Sequence, residues 1–133
     1  MARSRLSALS LLACLCIFPV TQAQAAPGEE VYKQVCCACH DTGANGAPRI
    51  GDSRMWAPLI KEGQSRLTAD GWIGERGMPP RGGKPELSME DFSRAVAYMA
   101  RASGAKWDDP DAAMLASIQK RVQARLEARK AKK

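Results

Sequence analysis

Apolar positions in this chain recur at helical spacing, and no stretch alternates with the period of two that a half-buried strand requires. Val31 and Val35 stand one turn apart behind Pro27, with Glu29 and Glu30 at the positive end, so residues 27–35 are predicted as a helix. Two short helical pieces follow, near 55–62 and 65–73, each closed by a glycine. The strongest helical signal comes next. Ser88 is an N-cap with Asp91 three residues on, Leu87 and Phe92 are placed as a hydrophobic staple, and Phe92, Val96 and Met99 line one face. This helix is predicted to end near Gly104. Beyond it, Asp109-Pro110 reads as a cap and first helical position, followed by Leu115, Ile118, Val122 and Leu126 among basic residues. Residues 41–54 and the run Gly77-Met78-Pro79-Pro80-Arg81-Gly82-Gly83 read as irregular loops. The fold class is therefore all-α, without internal repeats.

Arg3 and Arg5, an apolar stretch over 6–20 and Ala23-Gln24-Ala25 form a secretory signal pattern, with cleavage expected after Ala25. The apolar stretch is short for a membrane span and is interrupted by Pro19. Leu11-Leu12-Ala13-Cys14 loosely resembles a lipidation box, but apolar residues run on past it, which suits a lipoprotein junction badly. The expected organisation is a signal peptide over 1–25, one domain over 26–104 and a basic helical tail over 105–133. The expected location is the periplasm.

Charge separates the same regions. Residues 26–104 hold ten basic and ten acidic side chains, whereas 105–133 hold eight basic and four acidic ones. The high isoelectric point thus belongs to the ends of the chain, and nucleic-acid binding draws little support from it.

Three cysteines remain beyond the signal, Cys36, Cys37 and Cys39, within four consecutive positions. So placed, they can staple almost nothing as disulfides. Cys36-Cys37-Ala38-Cys39-His40 contains C-x-x-C-H, the attachment motif for haem c. Thiols three positions apart on a helical turn reach the two vinyl groups along one haem edge, and the next residue's imidazole then falls beneath the iron. A tetrahedral zinc site wants a second ligand pair, and a thioredoxin-like site wants a βαβ unit; neither is present. One covalently attached haem is expected, with Cys36 and Cys39 as anchors and His40 as axial ligand. Cys37 has no assigned role.

His40 is the only histidine, so a second axial ligand from this chain cannot be histidine. Methionine is the usual choice, and it raises the reduction potential. Met89 and Met99 lie on a helix, Met114 lies in the tail, and Met55 opens a short helix where it can serve the core. Met78 sits in an irregular loop stiffened by Pro79-Pro80, and is the expected sixth ligand.

These motifs, in this order over residues 28–103, resemble the class I cytochromes c, most closely the bacterial cytochrome c5 group. The resemblance rests on Cys36-Cys37-Ala38-Cys39-His40, on Gly46-Ala47-Pro48-Arg49-Ile50-Gly51-Asp52, on Trp56-Ala57-Pro58, and on Gly77-Met78-Pro79-Pro80-Arg81-Gly82-Gly83. Leu87-Ser88 and Ala95-Val96-Ala97-Tyr98-Met99 complete it. It implies four or five short helices around one haem, with the first and last core helices crossing. It also implies that the Pro48 carbonyl takes the hydrogen bond of the free His40 ring nitrogen, and that Trp56 lies near the haem propionates. Leu59 stands where members commonly carry Arg, so propionate neutralisation falls to candidates Arg49, Arg54 and Arg66. The disulfide that some members carry after the methionine loop has no cysteines here.

An iron held by both His40 and Met78 has no open position for substrate, which favours electron transfer over enzyme catalysis. The expected function is a periplasmic one-electron carrier, monomeric, meeting redox proteins transiently. The alternative is a haem-bearing subunit or tethered module of a larger oxidoreductase, docked through residues 105–133 on a partner or an anionic membrane surface. The tail also reads as a solvated, partly frayed helix.

A core of about 75 residues is marginal without a prosthetic group to pack against. The apo chain is accordingly predicted to be largely unfolded. Native-like helicity and cooperative melting of apo protein, measured by circular dichroism, would count against this.

Overall fold

The computed structural model describes residues 27–132; the segment expected as a signal peptide lies outside the described residues. Six α-helical segments are present and, among the described residues, no strand: α1 (Gly28–Val31), α2 (Cys37–His40), α3 (Ser53–Glu62), α4 (Gln64–Ile73), α5 (Met89–Ala102) and α6 (Ala112–Lys130). The helical run from α1 to α2 is continuous, because residues Tyr32–Cys36 between them form a π-helical turn. The Cys37 N–H bonds the Tyr32 carbonyl, five residues back. The expected helix over 27–35 thus extends to His40, and the motif stands at its C-terminal end.

The first and last core helices cross closely. A Cβ on Gly28 would lie 2.3 Å from the Arg94 carbonyl oxygen and 3.1 Å from Tyr98 Cβ, so only glycine permits this approach of α1 to α5. Beside the crossing, Tyr32 and Tyr98 have ring centroids 5.5 Å apart. Val31, Tyr32, Cys36, Trp56, Phe92, Ala95, Val96, Met99 and Ala100 form the main core. The α5 start matches its sequence signals: the Ser88 hydroxyl accepts the Asp91 N–H at 3.0 Å and donates to the Asp91 carboxylate at 2.8 Å.

Helix α6 begins two residues later than expected. Asp111, not Asp109, is its N-cap, accepting the Met114 N–H at 2.7 Å. Asp109 instead pairs with two arginines of α5, Arg94 at 3.3 Å and Arg101 at 2.8 Å. Those cations on a neighbouring helix outcompete a local capping role.

The tail is not a free-standing helix: α6 packs one face along α4. Ile118 is 0 % exposed and Val122 is buried, and both join Ala69 and Ile73 in a second apolar cluster. Of the expected stripe, Leu115 is half-buried and Leu126 stays exposed. An arginine row at four-residue spacing reinforces the contact. Arg121 donates to the Ser65 hydroxyl at 2.9 Å, Arg125 to Asp70 at 2.7 Å, and Arg129 to the carbonyls of Ile73 and Gly74. This order of contacts means the two helices run in the same direction.

Asp70 is 4 % exposed. Arg125 Nη2 lies 2.7 Å from both of its oxygens, with hydrogen-bond geometry met only at Oδ2. Burial raises the Asp70 pKa above the usual carboxylate value, and Arg125 partly opposes that rise. Removing Arg125 leaves a buried carboxylate short of its main cation. Arg125→Leu should cost about 2 kcal/mol near pH 7, less than for a fully buried pair because Arg125 is partly exposed. A group whose folded pKa is raised favours the folded state when protonated. The deficit of the variant relative to the parent should therefore shrink as pH falls through the raised Asp70 pKa. Urea melts of both proteins at neutral and mildly acidic pH measure it; a deficit independent of pH would refute the assignment.

Candidate functional site

Geometry at the motif is set by the loop on its C-terminal side. After His40 the chain turns back, and the Ile50 N–H bonds the His40 carbonyl at 2.8 Å. Within that loop the Pro48 carbonyl oxygen lies 2.8 Å from His40 Nδ1. A carbonyl can only accept, so Nδ1 carries a proton, and in the neutral imidazole Nε2 is the nitrogen that offers a lone pair. His40 is buried, and among the described residues no hydrogen bond reaches Nε2. A buried imidazole with one nitrogen oriented by a backbone carbonyl and the other bare is the donor state that a metal requires.

The loop itself is tied on several sides. Trp56, 2 % exposed, donates Nε1–H to the Arg49 carbonyl at 2.9 Å, and its ring centroid lies 6.4 Å from that of His40. Arg49 Nε donates to the Asp41 carbonyl at 3.2 Å. The Gly51 N–H donates to the Ser103 hydroxyl at 2.9 Å, which fastens the loop to the end of α5. The Tyr32 hydroxyl donates to the Asp41 carboxylate; burial, then this carboxylate, raise the Tyr32 pKa well above the ordinary phenol value. Asp52 caps α3 by accepting from the N–H groups of Arg54 and Met55.

Neither expected anchor is tied up in a disulfide. Cys36 is 5 % exposed, and burial, with smaller contributions from Cys37 and Cys39, pushes its pKa up to about 12. Cys37 Sγ lies 3.0 Å from the Lys33 carbonyl on the same helical run, a local contact in keeping with its lack of an assigned role.

Met78 arrives from the loop after α4. Gly74, Arg76, Gly77, Arg81, Gly82 and Gly83 all have positive φ, so this loop is built of tight reversals. The Met78 N–H bonds the Glu75 carbonyl at 2.9 Å, and Met78 is half-buried against the main core. Its methyl carbon lies 3.7 Å from where a Cβ on Gly71 would be, so α4 offers it a wall without a side chain. The same loop returns to the motif helix: a Cβ on Gly82 would lie 3.2 Å from Val35 Cγ1. Arg81 lies over the Trp72 ring at 4.3 Å, and Trp72 meets Phe92 edge-on at 5.6 Å. Thus the methionine loop and the cysteine–histidine segment share one side of the molecule. Half-buried Val35, Ile50, Leu59, Ile60, Leu67, Trp72 and Leu87 border the core, an apolar rim suited to a flat apolar group. The residues present therefore fit a haem.

The other methionines are placed elsewhere. Met99 belongs to the main core, Met89 and Met114 pack in the cluster under α6, and Met55, which the sequence allowed to serve the core, is 40 % exposed. Of the arginines considered for the propionates, Arg66 pairs at 3.4 Å with Glu62, the last residue of α3, Arg49 donates to the Asp41 carbonyl, and Arg54 is exposed. Sequence reading missed Gly71 and the arginine row of α6. The four-residue spacing of Arg121, Arg125 and Arg129 was its only available signal.

Residues 23–99 match the family described as cytochrome C oxidase, cbb3-type, subunit III. Cytochrome c-555 of Chlorobaculum thiosulfatiphilum is 43% identical over 79 residues, covering 56% of this chain and 92% of that relative. Cytochrome c5 of Azotobacter vinelandii is 35% identical over 75 residues, covering 55% of this chain and 90% of the relative. A solved chain from an electron transfer complex of nitrite reductase with cytochrome c is 40% identical. It superposes with a TM-score of 0.56, over 60% of this chain and 99% of that one.

Trp56→Phe keeps an aromatic ring but deletes the donor to the Arg49 carbonyl beside His40. We expect a loss of about 1–2 kcal/mol in the haem-loaded protein. It would be read as a lower denaturant midpoint at unchanged m-value. An unchanged midpoint would mean that this bond does not hold the loop.

Proposed function

We propose that this chain, which belongs to the cytochrome c family and is an electron-carrier cytochrome with covalently bound haem c, works as a one-electron shuttle in the periplasm. What carries the reading is the bare Nε2 of buried His40, oriented through Pro48 and placed one residue after a C-x-x-C pair. Cys36 and Cys39 are proposed as thioether anchors, and His40 Nε2 and the Met78 thioether as axial ligands. When bound, the haem supplies an iron that gains or loses one electron with both axial positions filled by protein.

The chain's own residues would hold that iron nearly still between oxidation states. The Pro48 carbonyl keeps the imidazole from turning. The reversals at Gly77 and Gly82, with Pro79-Pro80 between them, restrict Met78. Trp56 and Phe92 close the apolar interior against water. Protein partners would meet the side where the Met78 loop approaches Val35, in short-lived encounters steered by charge.

Export is proposed from the signal pattern, with cleavage after Ala25, leaving the domain over 26–104 and the tail over 105–133. Among the described residues, no helix is long and apolar enough to cross a membrane. A subunit docked through its tail draws less support, because α6 buries Ile118 and Val122 against α4 within the same chain. Sizing of the protein with and without residues 105–133 separates the readings; a larger assembly lost on truncation would favour the docked subunit.

The deciding experiment expresses the full chain with haem-maturation machinery and recovers the periplasmic fraction. Red monomeric protein is expected, whose alkaline pyridine spectrum shows two saturated vinyl positions. Cys36→Ser and Cys39→Ser should each shift that spectrum to a single thioether. The oxidised parent should show the near-infrared methionine–iron band, and Met78→Ala should lose it and lower the reduction potential. Colourless product with free thiols would end the proposal.

A further inference from the structure

Helix α6 lies beyond the residues matched by the family, yet it touches the segment that delivers Met78. Helix α4 ends at Ile73, and its last carbonyls have no partner within the helix. Arg129 takes two consecutive ones: Nη1 donates to the Ile73 carbonyl at 3.2 Å and Nη2 to the Gly74 carbonyl at 2.8 Å. The guanidinium fork suits this pair of acceptors, and its charge faces the negative end of the helix.

Gly74 is also where the methionine loop folds back. Its φ is +79°, and a Cβ there would lie 2.8 Å from Pro80 N and 2.9 Å from the Met78 carbonyl oxygen. The peptide held by Arg129 is thus packed directly on the backbone of Met78 to Pro80. One turn earlier on α4, Gly71 faces the Met78 methyl. Any movement of the α4 C-terminus is transmitted at once to Met78.

The rest of α6 gives Arg129 a firm base. Ile118 and Val122 are buried against α4, and Arg121 and Arg125 hold Ser65 and Asp70 further back. Only the last arginine of the row reaches the loop. The first is bound at Ser65, near the opposite end of α4. Arg121 and Arg129 therefore share a helix and a type of contact, but differ in what they can do to Met78.

We propose that Arg129 is a positioning residue for the sixth ligand, so that docking of the tail holds Met78 in place. This rests on the reading of Met78 as an axial ligand. Losing the fork frees the two carbonyls and lets the Gly74–Pro80 segment move away from α4. Added imidazole then competes for that position more easily.

The test uses full-length, haem-loaded, oxidised protein and three variants: Arg129→Ala, Arg121→Ala and Met78→Ala. Imidazole is titrated while the near-infrared methionine band is followed. Arg129→Ala should retain the band without imidazole, but lose it at about tenfold lower imidazole than the parent, on the scale of a charged hydrogen bond. Arg121→Ala should lower the denaturant midpoint yet bind imidazole like the parent. Equal imidazole affinity in Arg129→Ala and parent would overturn the positioning role. An equal rise in affinity in both arginine variants would also overturn it, since loosening of the tail in general would then suffice. If the parent lacks the band, or Met78→Ala keeps it, the axial-ligand reading itself fails. Those outcomes are distinct from a parent that shows the band and an Arg129→Ala variant that behaves like it.

Discussion

A single hydrogen bond sets the terms for the rest of this structure. With its Nδ1 proton held by the Pro48 carbonyl at 2.8 Å, the buried imidazole of His40 is left with one lone pair and one direction in which to offer it. That carbonyl must be kept in register, and much of the molecule serves this end. Trp56 grips the neighbouring Arg49 carbonyl, the Ile50 amide closes back on His40, and Ser103 ties Gly51 to α5. Each tie comes from a different part of the chain. No single element holds the loop, yet together they leave it little freedom.

The crossing of α1 on α5 supplies the frame. Gly28 allows backbone-level approach to Arg94, which brings the start of the motif helix against the one long helix of the core. A π-helical turn then separates this crossing from Cys37, so the motif is not simply the continuation of an α-helical register. The frame and the motif are covalently continuous but rotationally offset.

Helix α4 is a wall shared by two clusters. On one side, Leu67 and Trp72 meet the core and Gly71 meets Met78; on the other, Ala69 and Ile73 receive α6. A helix packed on both sides couples the contacts it makes on each. The basic tail therefore becomes part of the domain's architecture. Three of its eight basic side chains are engaged inside the chain, Arg125 on Asp70, Arg121 on a hydroxyl and Arg129 on backbone carbonyls.

Local signals in the sequence were enough for the all-helical class, for the cap at Ser88 and for the cysteine–histidine motif, since each depends on residues within one or two turns. They also exclude a second histidine ligand from this chain, and the proline-stiffened loop is the reason Met78 is the ligand proposed. The same local reasoning misplaced the tail's cap at Asp109, which two arginines of α5 claim instead, and left open a core role for Met55 that it does not take. Only the tertiary structure could decide where α6 lies, because Leu115, Ile118 and Val122 suit any apolar surface equally well. What selects α4 is a set of partners, Ser65, Asp70 and the Ile73 and Gly74 carbonyls, separated from their arginines by more than fifty residues. Spacing along a chain reports which residues share a face; which face meets which is settled by long-range packing.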